Sequence, residues 1–567
     1  MDIEIKLERL SPGSKEGKVG KIHAQIGHKL GAGDLIMEVE GKKGNTPIKS
    51  PTEGVITNIE VEEGDMVVIG QVLSKITKTE KGIASNFEPD DPLTSKNNSP
   101  NNMEIMEADI AILGGGPGGY VAAIQGAKLG AKVILIEKDK VGGTCLNRGC
   151  IPTKALVRSA QVYEDIKNAE QYGITLENHA IDMEKVIKRK DSIVENLVQG
   201  IEHLLNKQKI TLKTGNGKLI DPNTIQIDEK TLVRAKNIII ATGSKVCTPP
   251  FPGMDLKNVL CSDEALNLKE LPDKIVIVGG GIIGMEFAFI YANMGVDVSV
   301  IEYMDHVLCM LDQDVIREIT RAAKIKGIKL YTSSKVEEII KGEDNNCIIK
   351  FKQKERDKYL SSDKVLVCVG RNPAYENIGL EEMNIHINPE NKGIQVNQRM
   401  QTNIPHIYAI GDVTNIMQLA HVASHQGIVA VKNILGQDVE MDYSAVPSAI
   451  FTSPEIATVG ISEKDAKEKN IEIIMGKFPF AANGKAMTYG ETRGFVKIIK
   501  EKETDKIIGC TIIGPHASDL IAEITLAIKN GLKAEDIVNT IHAHPTTAEA
   551  IHEGALSVEG GALHFAN

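Results

Sequence analysis

Twice in this chain an apolar strand runs into a glycine triplet and out into a helix: ADIAILGGGPGGYVAAIQGAKLG from Ala108 and DKIVIVGGGIIGMEFAFIYANMG from Asp273. Each is followed by a second apolar strand that ends in an acid, Glu137 after VILI and Glu302 after DVSVI. A glycine triplet alone closes many tight turns; the order strand, turn, helix, strand, acid is what narrows the choice. The first glycine (Gly114, Gly279) permits the turn, and the second (Gly116, Gly281) lets a pyrophosphate approach the backbone at the helix start. The third (Gly119, Gly284) packs helix on strand, and the acid accepts from a ribose hydroxyl. The chain is therefore expected to be α/β with two dinucleotide-binding units. An acid at Glu302 repels a 2′-phosphate, and the next residues, Tyr303 and Met304, offer no arginine to receive one. NAD is expected there rather than NADP.

Composition closes off other classes. With 567 residues, at about 150 per domain, the chain has room for three or four domains. Its 42% hydrophobic and 25% charged content is that of a globular protein and excludes wholesale disorder. A formal charge of −11 gives no basic field for nucleic acid. No apolar run approaches the ~18 residues of a membrane span, so no membrane is expected. Eight cysteines are too few for a disulfide scaffold, and the start MDIEIKLERL has no apolar signal core. The expectation is a cytoplasmic protein, with no metal assigned.

Residues 79–106 are rich in Ser, Asn, Pro and acid, and read as a flexible linker with an r.m.s. reach of about 30 Å. Before them, Gly27, Leu30, Gly33 and Leu35 recur 37 residues later as Gly64, Val67, Gly70 and Val72. Such a repeat, in short alternating strands, suits a small all-β sandwich or barrel of quasi-twofold symmetry over 1–78. That symmetry puts Lys43, in EGKKGNTP, at the pole opposite both termini. The remaining domains are expected at 107–265 (first part of the first dinucleotide unit), 266–376 (the second unit), 377–445 (second, central part of the first unit) and 446–567. The last of these reads as α+β.

Cys145 and Cys150 lie in GGTCLNRGCIPTK, directly after the first unit's acid. On the first turn of one helix, with Pro152 just inside its start, the two sulfurs can close a small loop, and a helix N-terminus favours the thiolate that exchanges disulfides. Cys247, Cys261, Cys309, Cys347, Cys368 and Cys510 lack this spacing and read as buried free thiols.

From Ala108 to the end the chain resembles the pyridine nucleotide–disulfide oxidoreductases of the cysteine-pair type. The resemblance rests on GGTCLNRGCIPTK with ATGS (241–244), GGGIIGMEFA (279–288), VGRNP (369–373), IYAIGD (407–412), LAHVASHQG (419–427), IFTSPEIATVG (450–460) and HAHPTTAEA (542–550). Within the family it is most similar to members that oxidise a dihydrolipoyl group to its disulfide and reduce NAD. The resemblance implies FAD in the first unit, touching Gly114, Gly116, Gly119, Glu137, Lys138, Thr144, Lys154, Gly217, Thr242, Gly243, Ser244, Asp412 and Gln418, Leu419, Ala420 and His421. It implies NAD against Gly279, Gly281, Ile282, Ile283, Gly284, Glu286, Glu302, Val336 and Gly370. Lys154 is expected to pair with Glu286 beside the flavin, and residues 446–567 to form a dimerisation domain.

In H-x-H-P-T-x-x-E, a histidine titrating near neutrality can take a proton from a dithiol, with a carboxylate fixing its tautomer. His542 and His544 compete for this role; the resemblance selects His544, paired with Glu549, and implies that it serves the cysteines of a partner subunit in a homodimer. Residues 1–78 resemble a lipoyl domain like those of 2-oxo acid dehydrogenase acyltransferases. Lys43 then takes the lipoyl position, with Lys42 where the usual acid stands. The linker would let one chain present its own lipoyl arm to the cysteine site. The implied partner is the lipoyl-bearing acyltransferase of a 2-oxo acid or acetoin dehydrogenase complex, or the carrier of a glycine-cleavage system. The alternatives are a glutathione- or mercuric-type reductase, which would show an arginine near Glu302 or a C-terminal cysteine pair, and a non-catalytic lipoyl-carrying scaffold.

Overall fold

The computed structural model describes residues 2–7, 16–24, 29–41, 44–52, 54–61, 63–78 and 103–566. The chain forms two compact units, Met1–Ser99 and Pro100–Asn567.

The smaller unit holds two four-stranded antiparallel sheets. One runs in spatial order Asp2–Lys6, Val72–Lys78, Gly54–Ile59, Lys29–Leu30; the other Gly44–Lys49, Leu35–Gly41, Glu16–Ile22, Met66–Val68. The 37-residue repeat carries the inner strands and the short edge strand of one sheet onto those of the other. Its core obeys the same shift: Val19 with Ile56, Ile36 with Leu73 and Val39 with Ile76 are all buried. The ladder of Leu35–Gly41 on Gly44–Lys49 runs to the pair Gly41↔Gly44, while Asp2↔Thr77 closes the corresponding pair at the termini. Lys43 lies outside the described residues, as does most of the segment 79–106.

The larger unit begins inside the stretch assigned to the linker. Glu104–Leu113 is one strand, parallel to Thr231–Ile240 from Glu104↔Thr231 to Leu113↔Ile240. Its first residues are exposed, Glu104 and Ile105 among them, and burial starts at Ala108, which is where the sequence pattern becomes apolar. The sheet continues through Val133–Glu137, buried at every position, to Thr211–Thr214, and Ile407–Ala409 also pairs with Thr231–Ile240. Continuous burial along such strands follows from helices covering the sheet.

A second sheet, parallel throughout, runs Val259–Leu260, Lys364–Val367, Lys274–Val278, Asp297–Ile301, Lys329–Tyr331. The C-terminal part is a five-stranded antiparallel sheet, Ser448–Ile450, Glu455–Gly460, Ile507–Gly514, Phe495–Glu501, Ile473–Pro479, packed by helices Ala517–Lys529 and Glu549–Glu559. The parallel strands of these two sheets, the first of which also carries the antiparallel strands Thr224–Ile227 and Gly217–Asp221, bring both glycine turns to their ends, where α/β proteins bind ligands.

Candidate active site

The two glycine turns are nearly superimposable in what they forbid. Gly114 and Gly279 sit at φ +111° and +107°, and a Cβ on either would stand 2.2 Å from the Ala241 oxygen or 2.4 Å from the Cys368 oxygen. A Cβ on Gly119 would stand 1.8 Å from the Gly114 oxygen, and one on Gly284 2.0 Å from that of Gly279. Space around Gly116 and Gly281 is open, with nothing nearer than 3.9 Å at the first and nothing within 4 Å at the second. Helices Pro117–Lys128 and Ile282–Asn293 have no side-chain cap and no acid in the first turn. Their leading N–H groups are left for an anion. The acids also brace the turns: Glu137 accepts from the N–H groups of Gly115 and Asp139 at 2.6 and 2.9 Å, Glu302 from those of Gly280 and Met304 at 2.5 and 2.7 Å.

Both turns open into one continuous cavity of about 1460 Å³. On the side of the first turn it is lined by Gly114, Gly116, Glu137, Lys138, Thr144, Gly217, Thr242, Gly243, Ser244, Asp412, Gln418, Leu419 and Ala420. On the other side stand Gly279, Gly281, Ile282, Ile283, Glu302, Val336 and Gly370. Cys145, Cys150, Lys154 and Glu286 line it too. Three expected contacts are not in the lining. Gly119 and Gly284 are buried behind their turns as packing residues. His421 is exposed, its Nε2 facing the Pro447 carbonyl at 2.8 Å, because the helix starting at Ala420 turns that position toward the C-terminal segment.

The lining fits two dinucleotides. The Thr242 hydroxyl is buried with no partner among the described residues, as a group reserved for a ligand would be. Ser244 donates to Asp412 at 2.6 Å and accepts from Arg371 at 2.8 Å, while Arg371 also donates to the Ser244 carbonyl. Burial pushes the Asp412 carboxyl up, against the opposing pull of Ser244 and Arg371. The sequence quoted Arg371 in VGRNP without giving it this role.

The cysteines do not share one helix. Cys145 lies in Gly143–Arg148 and Cys150 opens Cys150–Lys167, with Gly149 at φ −138° and ψ −115° between them. A Cβ at Gly149 would come within 2.9 Å of the Thr144 oxygen, so the break needs glycine. The pair is polarised. The hydrogen bond from Cys145 draws the Cys150 thiol down to about 7, against burial and with help from Lys154. The same hydrogen bond, then burial, pushes the Cys145 thiol strongly up. Of the six other thiols, Cys347 and Cys510 are buried as expected, whereas Cys309 is exposed and Cys247, Cys261 and Cys368 are only partly covered.

Lys154 joins three parts of the unit. Its Nζ donates to both oxygens of buried Glu286 at 2.9 and 3.0 Å and stands 4.3 Å over the Phe451 ring. The Phe451 N–H donates to the same carboxylate at 2.9 Å. The Phe451 contact was invisible in the sequence, since only the fold brings residue 451 to residue 154.

His544 Nδ1 lies 2.8 Å from Glu549 Oε1, and Glu549 Oε2 accepts from the Thr546 N–H at 2.8 Å. Burial raises the Glu549 carboxyl, but the Thr546 N–H and the His544 ring outweigh it and hold it below its ordinary value. The His544 side chain is 80% exposed and does not line the cavity of its own chain.

Residues 108–427 match the family described as pyridine nucleotide-disulphide oxidoreductase. The chain belongs to this family. Residues 446–555, which carry His544 and Glu549, match the family's dimerisation domain, and residues 3–76 match the biotin/lipoyl domain described as biotin-requiring enzyme. A dihydrolipoyl dehydrogenase of Bacillus subtilis is 45% identical over 81% of this chain and 99% of its own. The mitochondrial dihydrolipoyl dehydrogenase of Sus scrofa is 42% identical over 81% of this chain and 92% of its own. Among solved structures, LpdA of Mycobacterium tuberculosis aligns with a TM-score of 0.74 at 26% identity, over 80% of this chain and 99% of its own. The flavoprotein disulfide reductase RclA of Escherichia coli aligns at 0.71 and 28%, over 79% of this chain and 100% of its own. The family's relatives thus span the larger unit and leave the N-terminal domain as an addition. No helix among the described residues is long and apolar enough to cross a membrane.

Proposed function

We propose that this oxidoreductase is an FAD- and NAD-dependent dihydrolipoyl dehydrogenase, oxidising a protein-bound dihydrolipoyl group through Cys145 and Cys150. The observation that carries this reading is the placement of a polarised cysteine pair and Lys154 in the one cavity that both dinucleotide turns share. Similarity to dihydrolipoyl dehydrogenases over 81% of this chain supports it.

Gly114, Gly116, Glu137, Thr242 and Asp412 would hold FAD, and Gly279, Gly281, Glu302, Val336 and Gly370 would hold NAD. Bound there, FAD accepts an electron pair from thiols and NAD⁺ accepts it as hydride. The chain's own residues do the rest. His544, oriented by Glu549, takes the proton of one dihydrolipoyl thiol. The thiolate attacks the Cys145 sulfur of the Cys145–Cys150 disulfide, forming a mixed disulfide there, and Cys150 leaves as a thiolate stabilised by the Lys154 cation. The second lipoyl thiol gives up its proton to the departing Cys145 as its sulfur attacks the lipoyl sulfur of the mixed disulfide, so the bond to Cys145 breaks, oxidised lipoyl is released and both cysteines are left reduced. Two electrons and two protons leave the substrate, and the electrons reside on the cysteine pair. Glu286 holds Lys154 in place at the cavity, where a cation favours a developing negative charge.

The exposed His544 dyad sits in the dimerisation domain, so the reading has it serve the cysteines of a partner subunit. The cytoplasmic setting, the acyltransferase partner and lipoylation of Lys43 belong to the same reading. Lipoamide-dependent NADH formation by the flavin-loaded protein tests the activity, and its absence would refute it. The intact mass of protein from lipoylating cells tests Lys43: a lipoyl increment lost in Lys43→Arg is expected, and an unmodified mass contradicts it.

A further inference from the structure

The motif around the base contains a second histidine, His542, that the reaction above does not use. Between Thr540 and Pro545 the chain is strongly exposed: Ile541 is 98% and the His544 side chain 80% open to solvent. Among the described residues, no backbone–backbone hydrogen bond involves 541–545. His542 alone turns inward, its side chain 8% exposed. Its Nδ1 faces the Thr540 carbonyl at 2.9 Å and its Nε2 faces Glu523 Oε1 at 3.0 Å, on helix Ala517–Lys529. Both partners are oxygens, so the ring has an acceptor facing it at either end. Its ring centroid lies 5.2 Å from that of His552, the two rings tilted at 52°; His552 is on helix Glu549–Glu559 and bonded through Nε2 to the Val538 carbonyl at 3.1 Å.

We propose that His542, held by Glu523, is a positioning residue for His544: it pins a loop without backbone bonds of its own to the helix on one side and the Glu549 helix on the other. Glu549 fixes the His544 ring from one end only, at Nδ1. The direction of the other nitrogen is set by where the backbone of 541–544 lies, and His542 fixes that backbone. The inference rests on His544 being the base. A misplacement of about 1 Å at a reacting group can cost about a hundredfold in rate, so the anchor need not touch substrate to matter.

The test uses the flavin-loaded full chain and two assays, dihydrolipoamide:NAD⁺ turnover and NADH oxidation by ferricyanide, which needs neither base nor thiols. His542→Ala is expected to lower the kcat of the first by about tenfold or more and leave the second, the KM for NAD⁺ and the flavin content within about twofold. Glu523→Ala, on a part-exposed helix position, should lower the same kcat by a smaller factor, about threefold to tenfold. Glu523→Gln, which keeps an acceptor oxygen, should restore most of it. His544→Gln serves as the reference. If it abolishes lipoamide turnover while His542→Ala and Glu523→Ala run at full rate, the positioning proposal is overturned and the base assignment stands. If lipoamide turnover survives His544→Gln, the base assignment falls and takes the proposal with it. Parallel loss of both assays in the His542 and Glu523 variants also overturns it, since that is what general structural damage gives.

Discussion

The two dinucleotide units differ less in how they hold a nucleotide than in what the chain does next. Turn, helix start and acid repeat closely. Even the bond that closes each turn from behind repeats: Gly142 N–H to the Gly115 carbonyl at 2.8 Å in the first unit, Leu308 N–H to the Gly280 carbonyl at 2.9 Å in the second. In the first unit this donor is a glycine at φ +93° that leads straight into the helix of Cys145. In the second it is a leucine, and the chain continues to Asp312, the cap of helix Gln313–Ile325. There Lys497 of the C-terminal sheet, almost wholly buried, donates to Asp312, Asp314 and Glu463 at 2.7, 3.0 and 2.5 Å. One copy of the device carries the cysteine pair; the other is bolted to the neighbouring domain. Nucleotide grip is a local, reusable property of a few glycines, whereas chemistry comes from the segment placed after the acid.

The sharpest way to break this comparison is Cys145→Ser. It should reduce lipoamide turnover by about a thousandfold or more while leaving NADH oxidation by an artificial acceptor largely intact. Equal loss of both would mean that the segment after the first acid supports the nucleotides as well as the chemistry. Next come the packing glycines. Gly119→Val drives a side chain into the Gly114 carbonyl and should yield protein with little flavin; Gly284→Val should keep its flavin and lose NAD affinity by about a hundredfold, as expected of a local steric clash. Flavin content and the KM for NAD⁺ read the two, and the same phenotype in both would erase the distinction between the units.

Lys497→Met leaves Asp312 and Glu463 without their cation and Asp314 with Lys477 alone, and should cost about 3–5 kcal/mol by chemical denaturation. Burial lowers the Lys497 ammonium, but the carboxylates outweigh it and hold it above its ordinary value. Its stabilising contribution is therefore fully present at neutral pH and lost only as pH rises through that raised value. A variant as stable as the parent at pH 7 would contradict the bolt. The smallest effect is spectroscopic. In reduced protein one thiolate per chain should form with a midpoint near pH 7, increasing with pH, and be absent in Cys150→Ser. Lys154→Met should move that midpoint upward, and an unmoved midpoint would show that Lys154 does not polarise the pair.

What could be read from sequence was whatever lies within about one supersecondary unit. The glycines, Glu137 and Glu302, the cysteine pair and the His544–Glu549 spacing are short-range patterns, and the cavity gathers the nucleotide and thiol residues as those patterns require. The break at Gly149 escaped because LNRGC has helix formers on both sides of a single glycine. Phe451 and the Lys497 bolt escaped because their meaning lies in partners far along the chain. Lys497 stands in FVKIIK, where alternation puts a lysine on a solvent face, yet a helix and the Asp312 loop cover it. His421, expected beside the flavin, is placed by the helix start with its ring against Pro447 and not in the cavity lining.

The central claim is that electron pairs pass between this particular cysteine pair and a nicotinamide within one cavity. Oxidised, flavin-loaded protein titrated anaerobically with NADH, then labelled with a thiol reagent and mapped by mass spectrometry, tests it most directly. Two new thiols per chain at Cys145 and Cys150 are predicted. No new thiols, or label at other cysteines, would contradict it.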